Sequence, residues 1–204
     1  MFLRNYYNMM ARLSLNLRTN ANGNFGDSSL VFRTNNGNLL RELYPGGSSP
    51  SASSMADYIP AISELSIWSG EYAYFKVIAF GSGNEPVTFE DYTLGTLLHN
   101  QFKYNLVSTS GFNYDENTKK YSVQTKYTLS NITSDIITIR EYGIFCGQPS
   151  YNTGILIFRD LIEPYALQPS ESVNVVLNTS YTMPTIDESG NVVAGSQAYG
   201  LSIE

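Results

Sequence analysis

The sequence has one cysteine, Cys146, and one histidine, His99, in 204 residues. A single thiol excludes an internal disulfide and a thiolate metal cluster. A single imidazole excludes a histidine-rich metal site and leaves any Ser-His-Asp triad dependent on His99 alone. Charge is also scarce, with Asp, Glu, Lys and Arg at 15% against about 25% in an average globular domain. Long apolar runs are missing. Segments such as Val77–Phe80 and Ile155–Phe158 fall far short of the roughly 18–20 residues that a spanning helix needs. Arg4, Asn5, Asn8 and Arg12 interrupt the first apolar stretch, so no secretory signal and no membrane partner are expected.

Small polar and aromatic residues take the place of charge. Ser (24), Asn (19) and Thr (15) supply 58 residues, alongside 16 Tyr and 10 Phe. That mixture excludes a disordered chain, which would be charge-rich and aromatic-poor. It suits strands joined by many turns. The length fits one large domain, or one domain with extensions. The net charge of −6 argues against direct nucleic-acid binding, which needs clustered Lys and Arg. Residues 1–60 carry net +2 and residues 61–204 net −8. Opposite signs would let the N-terminal part of one copy lie on the acidic body of another. Five scattered arginines read better as ordinary surface residues, since rim charges rarely decide an association alone.

Phe2, Tyr6, Met9 or Met10, Leu13 and Leu17 recur at three-to-four spacing, which predicts a short starting helix. Alternation from Arg12 to Arg18 then predicts a strand. Asn35-Asn36-Gly37, between two apolar segments, predicts a hairpin, because Asn-Gly supplies the positive φ angles of a tight turn. Pro45–Ser54 is the one low-complexity stretch and marks an internal boundary or a long surface loop. Beyond it, strands are predicted over Glu64–Trp68, Tyr72–Phe80, Phe102–Ser108, Lys120–Leu129, Ile136–Phe145, Gly154–Ile162 and Ser172–Met183. Glu163–Glu171, with two prolines, is expected to turn the chain. The fold class is all-β: an antiparallel β-sandwich with an extended N-terminal arm and hairpin and an extended C-terminal tail. The layout is an arm over residues 1–60, a body over 61–183 and a tail over 184–204.

No segment carries a complete chemical motif. Glu90 and Asp91 are adjacent acids; adjacency does not give the gap that a glycosidase pair needs, and a one-turn helix start capped by Thr88 accounts for them better. Gly81-Ser82-Gly83 lacks the Lys-Ser/Thr of a phosphate loop and the third glycine of a dinucleotide fingerprint, and reads as a strand-ending turn. Asn113–Asn117 lacks the length and terminal Glu of a calcium loop. Cys146 reads as a small buried strand-end residue. Asn131-Ile132-Thr133 and Asn178-Thr179-Ser180 match the glycosylation pattern by chance, in a chain this rich in such residues. No catalytic residue, cofactor or metal site is expected.

Two stretches, Val77–Leu98 and Ile137–Met183, carry an ordered pattern. It comprises Gly81 and Gly83; then Thr88, Asp91, Tyr92 and Leu94; then Ile139, Glu141, Gly143, Ile144 and Phe145; then Ile157, Arg159 and Asp160; then Pro169, Glu171, Ser172, Val173 and Val175. This pattern resembles a group of bacteriophage virion proteins found among tail, connector and baseplate components. The Tyr/Leu-rich start is similar to virion proteins of gut phages, including the crAss-like group. The resemblance implies a β-sandwich and a non-enzymatic building block of the virion, assembled in the bacterial cytoplasm. Its expected partners are copies of itself in a ring or other symmetric oligomer, and neighbouring virion proteins. Phe2, Tyr6, Tyr7, Met10, Arg12, Leu13 and Arg18 of the arm are the expected interface residues. Two alternatives use other residues: a receptor- or carbohydrate-binding tip module with exposed Tyr and Trp68, and a hydrolase built on Glu90, Asp91 or His99.

Overall fold

The computed structural model describes residues 1–8, 32–37, 39–40, 68–69, 76–110, 113–146 and 154–204. Met10, Arg12, Leu13, Arg18 and the Pro45–Ser54 stretch lie outside the described residues. The strands are β1 (Phe32–Arg33), β2 (Leu39–Leu40), β3 (Trp68–Ser69), β4 (Lys76–Gly81), β5 (Phe102–Thr109), β6 (Asn113–Asp115), β7 (Lys120–Asn131), β8 (Ile137–Cys146), β9 (Ile155–Leu167), β10 (Ser172–Thr182), β11 (Thr185–Ile186), β12 (Val192–Val193) and β13 (Ser196–Ile203).

Period-two patterning builds the first sheet. In β7, Val123, Thr125, Tyr127, Leu129 and Asn131 are buried, while the residues between them reach the other face. On that other face, Gln124 donates to Asn178 (3.1 Å), Thr128 donates to Asn174 (3.2 Å), and the Ser130 and Ser172 hydroxyls meet at 2.7 Å. These are directly opposed pairs of β7 and β10, so the abundant amides and hydroxyls serve as cross-strand ladders. The sheet runs β13-β10-β7-β5, with β6 also pairing β7, and all its pairs are antiparallel.

The second sheet runs β3-β4-β8-β9, antiparallel except for the β3–β4 pair. The two sheets bury one core. Ile78 and Phe80 from β4, Tyr142 and Ile144 from β8, and Ile157 from β9 meet Tyr127 and Leu129 from β7, Val175 and Leu177 from β10, and Tyr199 from β13. Each such side chain contributes about 1.5–3 kcal/mol, so an all-β sandwich forms without disulfide or metal. Unlike β7, β8 is buried on both faces from Glu141 to Cys146. Its far face is covered by the 82–100 loop and by Leu3, through a smaller cluster of Leu3, Ala79, Leu94, Phe145 and Leu156. Cys146 closes β8 fully buried, as expected.

The Asn-Gly hairpin forms: β1 pairs β2, and Gly37 takes φ +85° in the turn. Residues 4–8 form a helical turn. Three expectations are corrected. The chain does not turn at Glu163. Strand β9 continues to Leu167, and Pro164 sits in a bulge where three residues of β9 face Arg140 of β8. A bulge tolerates proline, because its missing N–H would find no ladder partner there. The turn comes at Gln168–Glu171, closed by the Glu171 carboxylate on the Gln168 amide (2.6 Å). At Thr88–Asp91 no helix follows. The capping bonds form, with Thr88 N and Oγ1 donating to Asp91 at 2.9 and 2.7 Å, but they close a single turn. Residues 184–204, expected as an extended tail outside the body, instead form the β11–β12 hairpin and then β13, which pairs along β10 from Thr182 to Val175 and places Tyr199 in the core, because β10 offers a free edge there.

Candidate functional site

Two strands of the second sheet carry a charged residue that the fold buries: Glu141 in β8 and Arg159 in β9. Both point to the far face, under the 82–100 loop, where their side chains are 0% and 4% exposed. A lone buried charge costs several kcal/mol, so each needs a partner. Arg159 Nε donates to Glu141 Oε2 at 2.7 Å. Its Nη1 donates to Asp91 Oδ2 at 2.7 Å, and its Nη2 to the Glu85 carbonyl at 3.2 Å. The other Glu141 oxygen accepts from the amides of Gly83 (2.9 Å) and Thr96 (3.2 Å). One guanidinium and one carboxylate of the sheet thus hold the loop at four points.

The glycines of the loop make this geometry fit. A Cβ at Gly81 or Gly83 would lie 2.4 or 2.5 Å from Glu141 Oε1. At Gly143, a Cβ would meet Leu94 at 2.9 Å, so the missing side chain seats the leucine that anchors the loop. Burial alone would push the Asp91 carboxyl up, but the Thr88 and Arg159 hydrogen bonds outweigh it and hold it below the ordinary carboxylate range. Arg159 is shifted the other way: its desolvation is outweighed by Asp91 and Glu141, which raise it.

The loop also carries the N-terminal elements on its outer side. The Arg4 amide donates to the Phe89 carbonyl (3.0 Å), and the Arg4 guanidinium pairs with Glu90 and lies 5.6 Å from the Phe89 ring. Arg33 lies 4.8 Å over the Tyr92 ring, whose edge also abuts Gly37. Residues 1–3 continue the second sheet along the outer edge of β9. The Leu3 amide donates to Ile157 O (3.0 Å), the Arg159 amide to Met1 O (3.1 Å) and the Met1 ammonium to Arg159 O (2.6 Å). Asn5 completes the seam by exchanging hydrogen bonds with the Arg33 backbone (2.8 and 3.0 Å) and donating to Leu156 O (3.1 Å).

The expected interface residues within the described chain therefore have intramolecular contacts. Phe2 packs on Tyr6, Phe158 and Tyr199, with ring centroids 4.3, 5.3 and 5.5 Å apart. The Tyr6 hydroxyl reaches Gln197 (3.4 Å). Tyr7 stays 53% exposed beside Phe89. The adjacent acids Glu90 and Asp91 are not a working pair: one binds Arg4 and the other Arg159. His99 is exposed. Every oxygen of Glu141 and Asp91 already accepts a hydrogen bond, so this centre fixes a loop instead of presenting an acid or base to a substrate. Among the described residues, no group of three or more His, Cys, Asp or Glu gathers to hold a metal, and no helix is long and apolar enough to cross a membrane. Asn131 of the first glycosylation pattern is 2% exposed. Its Nδ2 donates to the Asp135 and Leu167 carbonyls at 2.8 and 3.1 Å, which shields that amide from modification.

Two surface features have no counterpart in the sequence reading. Past the end of β10, the β11–β12 hairpin projects with Ile186 and Val192 each 73% exposed. Tyr114, Tyr121 and Tyr181 stand in register across β6, β7 and β10 beside it. The second feature is an apolar groove of about 450 Å³ between β9 and β13, lined by Leu161, Ile162, Pro164, Tyr165, Leu201 and Ile203. The sequence does carry a signal for the hairpin in Asp187–Asn191, a turn in which the Asp187 carboxylate accepts from the Ser189 and Asn191 amides and Gly190 takes φ +81°. The groove has no such signal, because its two walls are distant in sequence. Comparison with family models, curated proteins and solved structures gave no match to this chain.

Proposed function

We propose that this chain is a non-enzymatic structural component of a tailed-phage virion, in the tail or head–tail connecting region, acting by symmetric protein–protein assembly. One observation carries the reading. The residues that give the chain its likeness to phage virion proteins, Gly81, Gly83, Asp91, Glu141 and Arg159, converge on one buried centre that clamps a loop to a sheet. A signature made of such residues describes a rigid block. The apolar side chains exposed at one end of the first sheet supply surface for contacts. On this reading the chain acts in the virion, after assembly in the host cytoplasm, without cofactor or nucleic-acid contact.

The test is location. Antibody against this chain, gold-labelled and applied to purified particles of the phage that encodes it, should decorate the tail or the head–tail junction. Particles that lack the polypeptide altogether, by labelling and by mass spectrometry, overturn the reading.

A further inference from the structure

Residues 1–5 lie on the body as a bound peptide would. Residues 1–3 add a short strand to the outer edge of β9, with the Leu3 amide on Ile157 O and the Arg159 amide on Met1 O, the mode by which sheet edges capture extended peptides. Leu3 is fully buried among Ala79, Leu94, Phe145 and Leu156, and Arg4 pairs with Glu90. The body assembles this receiving site from its own bonds. Arg159 holds the 82–100 loop with its guanidinium. That loop supplies Leu94 to the pocket, and Phe89 and Glu90 to Arg4. Segment and site are therefore two different surfaces whose fit is displayed bond by bond.

The geometry points to exchange of this segment between copies: residues 1–8 of one chain occupy the edge of β9 and the Leu3 pocket of the next. This rests on the assembly reading above and names its joint. Reach permits it. Residues 9–31 connect the segment to β1, and 23 residues span up to roughly 75 Å. A folded chain of this length has a radius of gyration of about 17 Å, so touching copies lie roughly 40 Å centre to centre. Charge favours it as well. Residues 1–18 carry Arg4, Arg12 and Arg18 and no acid, whereas residues 61–204 are net −8, an attraction that acts between copies. Every contact given up at home is regained next door, which makes such exchange a low-cost route to oligomers. Because giver and receiver differ, the joint is head-to-tail, and a closed ring leaves no segment and no site unfilled.

Disulfide trapping in the full chain tests this. The Arg4 amide bonds the Phe89 carbonyl at 3.0 Å, which places positions 4 and 90 within reach of a disulfide. Both side chains are exposed, so Arg4→Cys and Glu90→Cys should melt like wild type, and the native Cys146 is too buried to compete. The two single variants are co-expressed, oxidised by dissolved oxygen and run on a denaturing gel without reductant. Neither variant can close the bond within one chain, so exchange should give a covalent dimer at twice 22.7 kDa, lost on reduction. The double variant should give a ladder of linked chains up to the whole oligomer. An oligomer whose double variant closes the bond within single chains, with no dimer from the mixed variants, overturns the exchange and leaves the assembly reading standing. No bond in either experiment also overturns the exchange, because the segment then does not sit on the loop. A wild-type chain that is monomeric throughout in native mass spectrometry removes the assembly reading itself.

Discussion

At the residue scale, the molecule depends on the Arg159–Glu141–Asp91 centre. Removing one partner of a buried pair leaves the other charge uncompensated, at a cost of about 3–5 kcal/mol. Glu141→Ala should lower the unfolding free energy by that amount in urea at neutral pH. Replacing both, as Glu141→Met with Arg159→Met, should recover only part of it, because Asp91 then loses its guanidinium and the Gly83 and Thr96 amides lose their acceptor. A loss below about 1 kcal/mol in the single variant is what a solvated surface pair would give, and it would contradict the burial described. Asp91 adds a pH dependence. Its folded carboxyl titrates below its unfolded value of 3.8, so its contribution is complete above that value and fades as pH falls through the lower, folded one. Asp91→Asn should therefore be less stable than wild type at neutral pH. That difference should shrink as acid titrates the wild-type carboxyl, measured by denaturant unfolding at stepped pH; a difference that stays constant through the acid range would show that Asp91 does not titrate with the pair. The sequence set Gly81, Gly83, Asp91, Glu141 and Arg159 in one ordered pattern but did not show that they meet. Arg140 beside Glu141 and Asp160 beside Arg159 hide which charge the fold buries, and the adjacency of Glu90 and Asp91 suggests a pair that the fold divides between Arg4 and Arg159.

At the element scale, strands that carry their own alternating or apolar pattern were legible, and elements held in place only by distant chain were not. Alternation placed β5, β7 and β10 to within a few residues, because period two directly reports a half-buried strand, and a β-branched and aromatic run placed β8. Pro164 misled the reading of β9, since a bulge removes the ladder bond that proline would break. The first eight residues read as part of an arm for contacts with neighbouring copies. Their partners, Ile157 and Arg159, lie more than 150 residues away, and nothing local announces that Leu3 is fully buried. Leu3→Ala should cost about 2–5 kcal/mol, the range for emptying a core leucine site. It should also speed hydrogen exchange at the Arg159 amide, which is bonded to Met1. Exchange and stability equal to wild type would show that the segment does not cover β9 in solution.

At the scale of the whole molecule, the described residues form a two-sheet sandwich with exposed aliphatic side chains on the β11–β12 hairpin and a groove between β9 and β13. The fold class was visible in the turn-rich, aromatic, charge-poor composition. The recess was not, because it forms only when the bulged half of β9 meets the end of β13. On the proposed assembly role, the aliphatic surface left outside the sandwich is what copies of the chain would grip. The most direct test is the mass of the purified full chain in native mass spectrometry over a range of concentrations. The account predicts a closed oligomer of one fixed stoichiometry, a whole-number multiple of 22.7 kDa. A single species at 22.7 kDa throughout would contradict it.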